Sequence, residues 1–181
     1  MSGMSVFKDR EVLITGGLGF IGSNLAIELI KQGARVTIVD NMLPKQGGNF
    51  FNIKDIEAQV KVNISDVRNQ LSMNHLVKGK DYIFHLAGQV NHVDSMRNPI
   101  QDLDINCRGT LVLLEALRQF NRSGKVIYTE FTQERKEVEP GDYYADITKM
   151  KEMVKWVPRV SLEVGIQRTI DYYRENRKEY W

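Results

Sequence analysis

The segment Val12-Leu-Ile-Thr-Gly-Gly-Leu-Gly-Phe-Ile-Gly22 constrains the fold more than any other stretch of this chain. A short apolar run, Val12 to Thr15, ends in glycines at 16, 19 and 22, and a helical pattern starts at Phe20. A buried parallel strand that turns at once into a helix reads this way. Glycine permits the sharp turn and lets the backbone approach closely whatever lies above it. Ile21, Leu25, Ile27, Leu29 and Ile30 supply the apolar positions of a helix over 20–32, and Gly33 ends it.

The alternation continues along the chain. Residues 34–40 are rich in β-branched side chains and read as a second strand, 60–64 as a third and 81–86 as a fourth. Leu111, Leu114, Leu117 and Phe120 give helical spacing over 110–120, and 125–129 is a fifth strand. Strands alternating with helices imply an α/β fold with a parallel, doubly wound sheet, its topology set by right-handed crossovers. After Thr129 the character changes. Residues 130–142 are polar, with a turn at Pro140-Gly141, and 146–154 read as a short helix. Ser161 can cap a last helix that carries Leu162, Ile166, Ile170 and Tyr173 on its apolar face. Arg174, Arg177 and Lys178 lie near its C-terminal end, where the helix dipole favours cations. Two regions are therefore expected, 1–129 and 130–181.

Composition narrows the partners. The 181 residues carry a net charge of +2 with acids and bases interspersed, which argues against nucleic acid and against an anionic membrane surface. No run approaches the roughly 20 apolar residues of a membrane span, and the first ten residues lack the apolar stretch of a signal peptide. Cys107 is the single cysteine, so no disulfide can form within the chain. A cytoplasmic setting is the expectation.

The glycine turn is a candidate dinucleotide site. Gly16, Gly19 and Gly22 would let a pyrophosphate sit against the backbone, and the first turn of the helix, with Phe20 and Ile21, would offer unpaired N–H groups and a partial positive charge. Asp40 closes the second strand 18 residues after Gly22. A carboxylate there can accept from both adenosine ribose hydroxyls and would repel a 2′-phosphate, so NAD is the expected cofactor rather than NADP.

Taken together, these residues resemble the extended short-chain dehydrogenase/reductase superfamily, in its NAD-dependent epimerase/dehydratase branch, which acts on nucleotide sugars. Thr15-Gly-Gly-Leu-Gly-Phe-Ile-Gly-Ser-Asn24 is similar to that branch's fingerprint. Asp40-Asn41 resembles its ribose-binding pair, and Ser65-Asp66-Val67 the segment that meets the adenine, with Asp66 accepting from the exocyclic amine. His85-Leu86-Ala87-Gly88-Gln89 resembles the strand-four motif that lines the cofactor. Asp104-Ile-Asn106-Cys-Arg-Gly-Thr110 resembles the helix whose asparagine holds the neighbouring strand, and Val126-Ile-Tyr-Thr129 the start of strand five. Tyr144-Ala-Asp-Ile-Thr-Lys149, Trp156-Val-Pro158 and Val160 to Ile166 are similar to the last two helices of such epimerases. The resemblance implies a Rossmann doubly wound sheet, truncated after strand five, with two C-terminal helices of the family-tail type. It also implies a nucleotide sugar as ligand, with Arg135 placed where the family sets an arginine on the substrate diphosphate.

The resemblance breaks where the family keeps its chemistry. There a tyrosine followed four positions later by a lysine deprotonates the sugar hydroxyl. None of the seven tyrosines here has that lysine: the fourth residue on is Leu86, Thr132, Ile147, Thr148, Asn176 or Arg177, and Tyr180 has none. Tyr143 and Tyr144 precede Lys149 at spacings of six and five, which do not share a helix face as four-residue spacing does. No catalytic residue is assigned, and no His, Cys or acid spacing suggests a metal site. His85 reads as a core residue of strand four, whereas nothing assigns His92. The reading is an NAD-binding protein of the epimerase/dehydratase type with impaired catalysis. The alternatives are an active UDP-glucose 4-epimerase-like enzyme using substitute or partner-chain residues, and an NAD-stabilised interaction module. With no sixth strand, strand five would form a sheet edge and neighbouring apolar surface would lack cover, so a homo-oligomer is expected.

Overall fold

A computed structural model describes residues 5–44, 46–127, 148–155 and 157–180. The chain divides into two compact units, Met1–Thr129 and Glu130–Trp181. The first unit runs β1 (Glu11–Thr15), α1 (Phe20–Lys31), β2 (Arg35–Asp40), β3 (Lys61–Ile64), α2 (Gln70–Leu76), β4 (Tyr82–His85), α3 (His92–Arg97), α4 (Pro99–Leu103), α5 (Gly109–Phe120) and β5 (Lys125–Ile127). In the second are α6 (Thr148–Val154), α7 (Leu162–Glu175) and the single turn α8 (Arg177–Tyr180). The Ser161 hydroxyl accepts from the Val164 N–H and caps α7.

All ladders are parallel, in the order β3-β2-β1-β4-β5. This is the doubly wound α/β arrangement that the strand–helix alternation implies. Pleating divides the core into two layers. Val12, Ile14, Ile38 and Phe84 pack with Ala26 and Leu29 of α1 on one face. Leu13, Val39 and Ile83 pack with Met73 of α2 and with Leu113 and Leu117 of α5 on the other. Because β1 is central, its residues are buried on both sides, hence the continuous apolar run rather than an alternating one.

The chain winds outward from β1 to β3, crosses back, and continues through β4 to β5. Its direction reverses between β1 and β4, so the two loops that follow these strands flank a crevice at their C-terminal ends, where open α/β sheets bind ligands. One polar chain fixes the spacing of those loops. The Thr15 hydroxyl accepts from the N–H groups of both Leu86 and Ala87 at 3.2 Å and lies 2.7 Å from His85 Nδ1. His85 Nε2 is 2.9 Å from the Thr110 hydroxyl, which in turn donates to the Asn106 carbonyl at 2.6 Å. Thr110 has one hydroxyl hydrogen, so it must accept from His85; Nε2 therefore carries the proton, and Nδ1 accepts from Thr15. Burial pushes the His85 pKa down from its ordinary 6.5.

Three helices of this unit escape sequence reading. In α2 only Met73 is fully buried, too few positions to give a periodic signal. Helices α3 and α4 are short and broken at Asn98-Pro99, each started by an asparagine cap, Asn91 and Asn98. A π-helical turn, Asp104–Arg108, joins α4 to α5. The expected helix over 146–154 is present as α6 from Thr148.

Gly17 fits only without a side chain. A Cβ there would lie 2.6 Å from Cγ2 of Ile38, which is fully buried in β2. Gly17→Ala should therefore lower the unfolding free energy by about 1–3 kcal/mol, read by urea denaturation; an unchanged midpoint would remove this packing account. His85 supplies a pH signature. Its folded pKa lies below its unfolded value, so the unfolded chain takes up the proton first as pH falls. Stability is full above about 6.5 and declines below it, by up to about 1.4 kcal/mol per pH unit until the folded pKa is reached. His85→Gln should flatten the Tm profile between pH 6.5 and 5 relative to the native chain. Parallel profiles would show that His85 does not carry the dependence.

Candidate dinucleotide-binding site

The glycines after β1 divide by what surrounds them. Gly16 adopts φ +70, donates its N–H to the Val39 carbonyl at 2.7 Å, and lies so close to the strand-four exit that a Cβ would sit 2.8 Å from the Leu86 carbonyl and the Ala87 nitrogen. A Cβ on Gly22 would collide with the Gly16 carbonyl oxygen. These positions are glycine for the sake of the protein's own packing. Gly19 differs: a Cβ there would meet nothing nearer than the Gly16 carbonyl oxygen, at an ordinary 3.4 Å. Its missing side chain leaves room on the open side of the turn.

Directly above that room α1 begins. Gly19 provides no side-chain cap, and the N–H groups of Phe20, Ile21 and Gly22 have no acceptor among the described residues. Phe20 is 53% and Ile21 66% exposed, so neither side chain is folded back into the core. Three convergent N–H donors at the positive end of a 12-residue helix suit an anionic, multi-oxygen group.

Asp40 stands at the end of the adjoining strand. Its Oδ2 accepts from the Leu18 N–H at 3.1 Å and its Oδ1 from the Met42 N–H at 2.9 Å. An ionised carboxylate has about four acceptor positions, so each oxygen keeps one for a further donor, and a vicinal diol offers two. The pyrophosphate and adenosine ribose of a dinucleotide fit these two stations.

The other expected contacts are drawn together around the crevice. Asn41 donates from Nδ2 to Asp66 Oδ2 at 3.0 Å and accepts from the Leu43 N–H. Asp66, at the exit of β3, is held by Arg68: the guanidinium donates from Nε at 2.9 Å and from one terminal nitrogen at 2.6 Å, and the Arg68 N–H adds a bond at 2.8 Å. That clamp holds the Asp66 carboxyl at a pKa of about 2, well below its usual 3.8. The other terminal nitrogen of Arg68 reaches Asp104 at 2.7 Å, and Asp104 also accepts from Arg108 at 2.9 Å. Val67 is buried against Gly109, where a Cβ would come within 2.8 Å of it.

Beyond β4, Leu86 and Ala87 are pinned by Thr15, as described above. Asn106 Oδ1 accepts from the Gln89 N–H at 2.7 Å, and Asn106 Nδ2 donates to the Gln89 carbonyl at 3.0 Å. Asn106 thus grips the loop from both of its backbone groups. A Cβ on Gly88 would approach Asn106 Oδ1 at 3.2 Å. The Gln89 side chain turns to its own loop, with Oε1 accepting from the Asn91 N–H at 2.8 Å. A cavity of about 240 Å³ lies between the loop after Asp40 and helices α3 and α4, lined by Leu43, Pro44, Gln89, Asp94, Arg97 and Gln101 among others. Ligand pockets begin at about 300 Å³, so it is small for a ligand site of its own.

Thr129, Arg135, Tyr143 and Tyr144 lie outside the described residues. Lys149 belongs to α6 and Tyr173 to α7. Burial pushes the Tyr173 hydroxyl up, the direction opposite to the one a general base needs. Among the described residues no group of three or more His, Cys, Asp or Glu side chains could hold a metal, and no helix is long and apolar enough to cross a membrane. Sequence reading missed Thr15 as the hub of the crevice and Arg68 as the clamp on Asp66. The spacing of two between Asp66 and Arg68 was the available signal.

Known proteins with this geometry are consistent. A family model described as GDP-mannose 4,6 dehydratase matches residues 13–134, well over half of the chain. The chain is 39% identical over 121 residues to CDP-paratose 2-epimerase of Salmonella typhi, covering 66% of this chain and 36% of that protein. Among solved structures, the epimerase Mth375 from Methanothermobacter thermautotrophicus is 34% identical with a TM-score of 0.57, over 62% of this chain and 33% of its own. The enzyme WbmF of Bordetella bronchiseptica, solved in complex with NAD+, is 30% identical with a TM-score of 0.63, over 78% of this chain and 42% of its own. The chain thus spans less than half the length of each of these three relatives. With its parallel α/β sheet and its glycine-turn crevice, it belongs to the GDP-mannose 4,6 dehydratase family of nucleotide-sugar epimerases and dehydratases.

Proposed function

We propose that this chain binds NAD in the crevice between β1 and β4 and is catalytically impaired as a nucleotide-sugar enzyme. The observation that carries the reading is the pairing of two stations: the open N–H groups of residues 20–22 over Gly19, and the two remaining acceptor positions of Asp40. The pyrophosphate takes the first and the ribose diol the second, while a 2′-phosphate beside Asp40 would meet a like charge. Asn41, Asp66 and Val67 border the adenine end and Leu86 to Gln89 the nicotinamide end, to which the family resemblance also assigns Thr129. A bound nicotinamide supplies a hydride acceptor, and the chain's own residues hold and orient it. The NAD+ in the WbmF complex supports the choice of cofactor.

In this reading residues 1–129 are the NAD-binding domain and 130–181 derive from the end of a substrate domain, with Arg135 directed to a nucleotide-sugar diphosphate. Impairment rests on the missing tyrosine–lysine pair. Loss of such acid–base help costs roughly 10² to 10⁴ in rate. A cytoplasmic setting belongs to the same reading, since Cys107 is exposed and free.

A thermal-shift titration tests the core of it. At about 100 times its dissociation constant NAD should add roughly 2.7 kcal/mol to the folded state, NADP should add less, and Asp40→Ala should reduce the NAD shift. No shift at saturating NAD would remove the site. UDP-glucose incubated with the NAD-loaded protein should remain unconverted; conversion would mean that substitute or partner-chain residues carry the chemistry. A homo-oligomer completes the proposal, supported by exposed Ile100, Leu103, Leu111 and Leu114 on one helical run. Sedimentation at micromolar concentration should show a species larger than the monomer, and a monomer would discard this part.

A further inference from the structure

We propose that Arg68 withholds the Asp66 carboxylate from a bound dinucleotide, so that this chain does not read the adenine amino group through Asp66. The inference rests on the NAD reading and departs from the role that the family resemblance gives this aspartate.

An ionised carboxylate offers about four acceptor positions. All four on Asp66 are taken. Oδ1 receives the Arg68 N–H at 2.8 Å and Arg68 Nε at 2.9 Å. Oδ2 receives a terminal guanidinium nitrogen at 2.6 Å and Asn41 Nδ2 at 3.0 Å. The contrast with Asp40 is direct, since each oxygen of that carboxylate carries a single bond. The two acids of the crevice look alike in sequence, yet one has capacity left and the other has none.

The clamp is also braced from outside. Arg68 donates its remaining terminal nitrogen to Asp104 at 2.7 Å, and Arg108 fixes Asp104 in turn at 2.9 Å. The Arg68 and Asp66 side chains are only 25% and 27% exposed. Two parallel charge-assisted bonds in a partly buried fork are the strong form of this interaction. An amino group arriving with the adenine would have to displace one of these four donors, and the guanidinium fork resists that exchange at both oxygens. Arg68 is therefore a positioning residue. It holds β3's exit to the π-helical turn, and the same bonds exhaust the carboxylate.

The discriminating ligand is the NAD analogue in which purine replaces adenine, because it lacks the amino group and keeps every ring nitrogen. Calorimetric titration of the native chain should give affinities for NAD and the purine analogue that agree within about three-fold. Arg68→Met frees two acceptor positions on Asp66 and should create a preference for NAD of about ten-fold or more, the scale of one hydrogen bond to a charged group. Arg68→Lys, which keeps the charge but a single contact, should fall between the two and stands in if the methionine variant does not fold. A purely structural Arg68 would change both affinities together and leave their ratio unmoved, which overturns the proposal. So does a native chain that prefers NAD over the purine analogue by ten-fold. Binding of neither nucleotide would overturn the NAD reading itself, and the amino-group inference with it.

Discussion

The backbone contact between the turn after β1 and the exits of β2 and β4 is the constraint on which the rest of this structure depends. Gly16 touches the Leu86–Ala87 peptide, Gly17 touches Ile38, and Gly22 touches the Gly16 carbonyl. With side chains at these places, α1 could not start where it does. Its first N–H groups would then point elsewhere, and the two strand exits would separate. The central position of β1 makes this contact a property of the whole sheet rather than of one loop. The Thr15 hydroxyl adds direction to it, because a single oxygen accepts from two successive N–H groups beyond β4.

Much of this arrangement is visible in the amino-acid order because it is local. A strand, a glycine turn and a helix follow one another between Glu11 and Lys31, and the periodicity of each survives in the sequence. Asp40 is legible for the same reason, since its role follows from its place at a strand end. What is not legible depends on partners distant in the chain. The Arg68–Asp104 bond joins residues 36 apart, and the grip of Asn106 on Gln89, 17 apart, is expected only through the family resemblance. Helix α2 shows a different limit. With one fully buried side chain it carries no apolar rhythm, and only the Asn69 cap marks its start. The short helices α3 and α4 are set by asparagine caps and a proline rather than by an apolar stripe.

The family relationship and the proposed loss of catalysis draw on separate parts of the chain. The match to the family model spans residues 13–134, which contain the glycine-turn crevice. Proton transfer in that family belongs to a tyrosine and a lysine that this sequence does not pair. Binding geometry can persist without proton chemistry because the two are held by different elements: the glycine turn is stabilised by the core of the sheet and needs no catalytic residue to keep its shape.

Asp40 has a consequence for anyone seeking to change cofactor preference. Its carboxylate is also a staple: it ties the Leu18 N–H of the glycine turn and the Met42 N–H of the following loop to the end of β2. Replacing it with a small neutral residue to admit a phosphorylated ribose would leave two backbone donors without their acceptor. Redesign towards NADP would therefore have to supply new acceptors for Leu18 and Met42 before it could profit from any added arginine. If Asp40 sets the cofactor preference as proposed, selectivity and local rigidity are vested in the same two oxygen atoms, and neither can be altered alone.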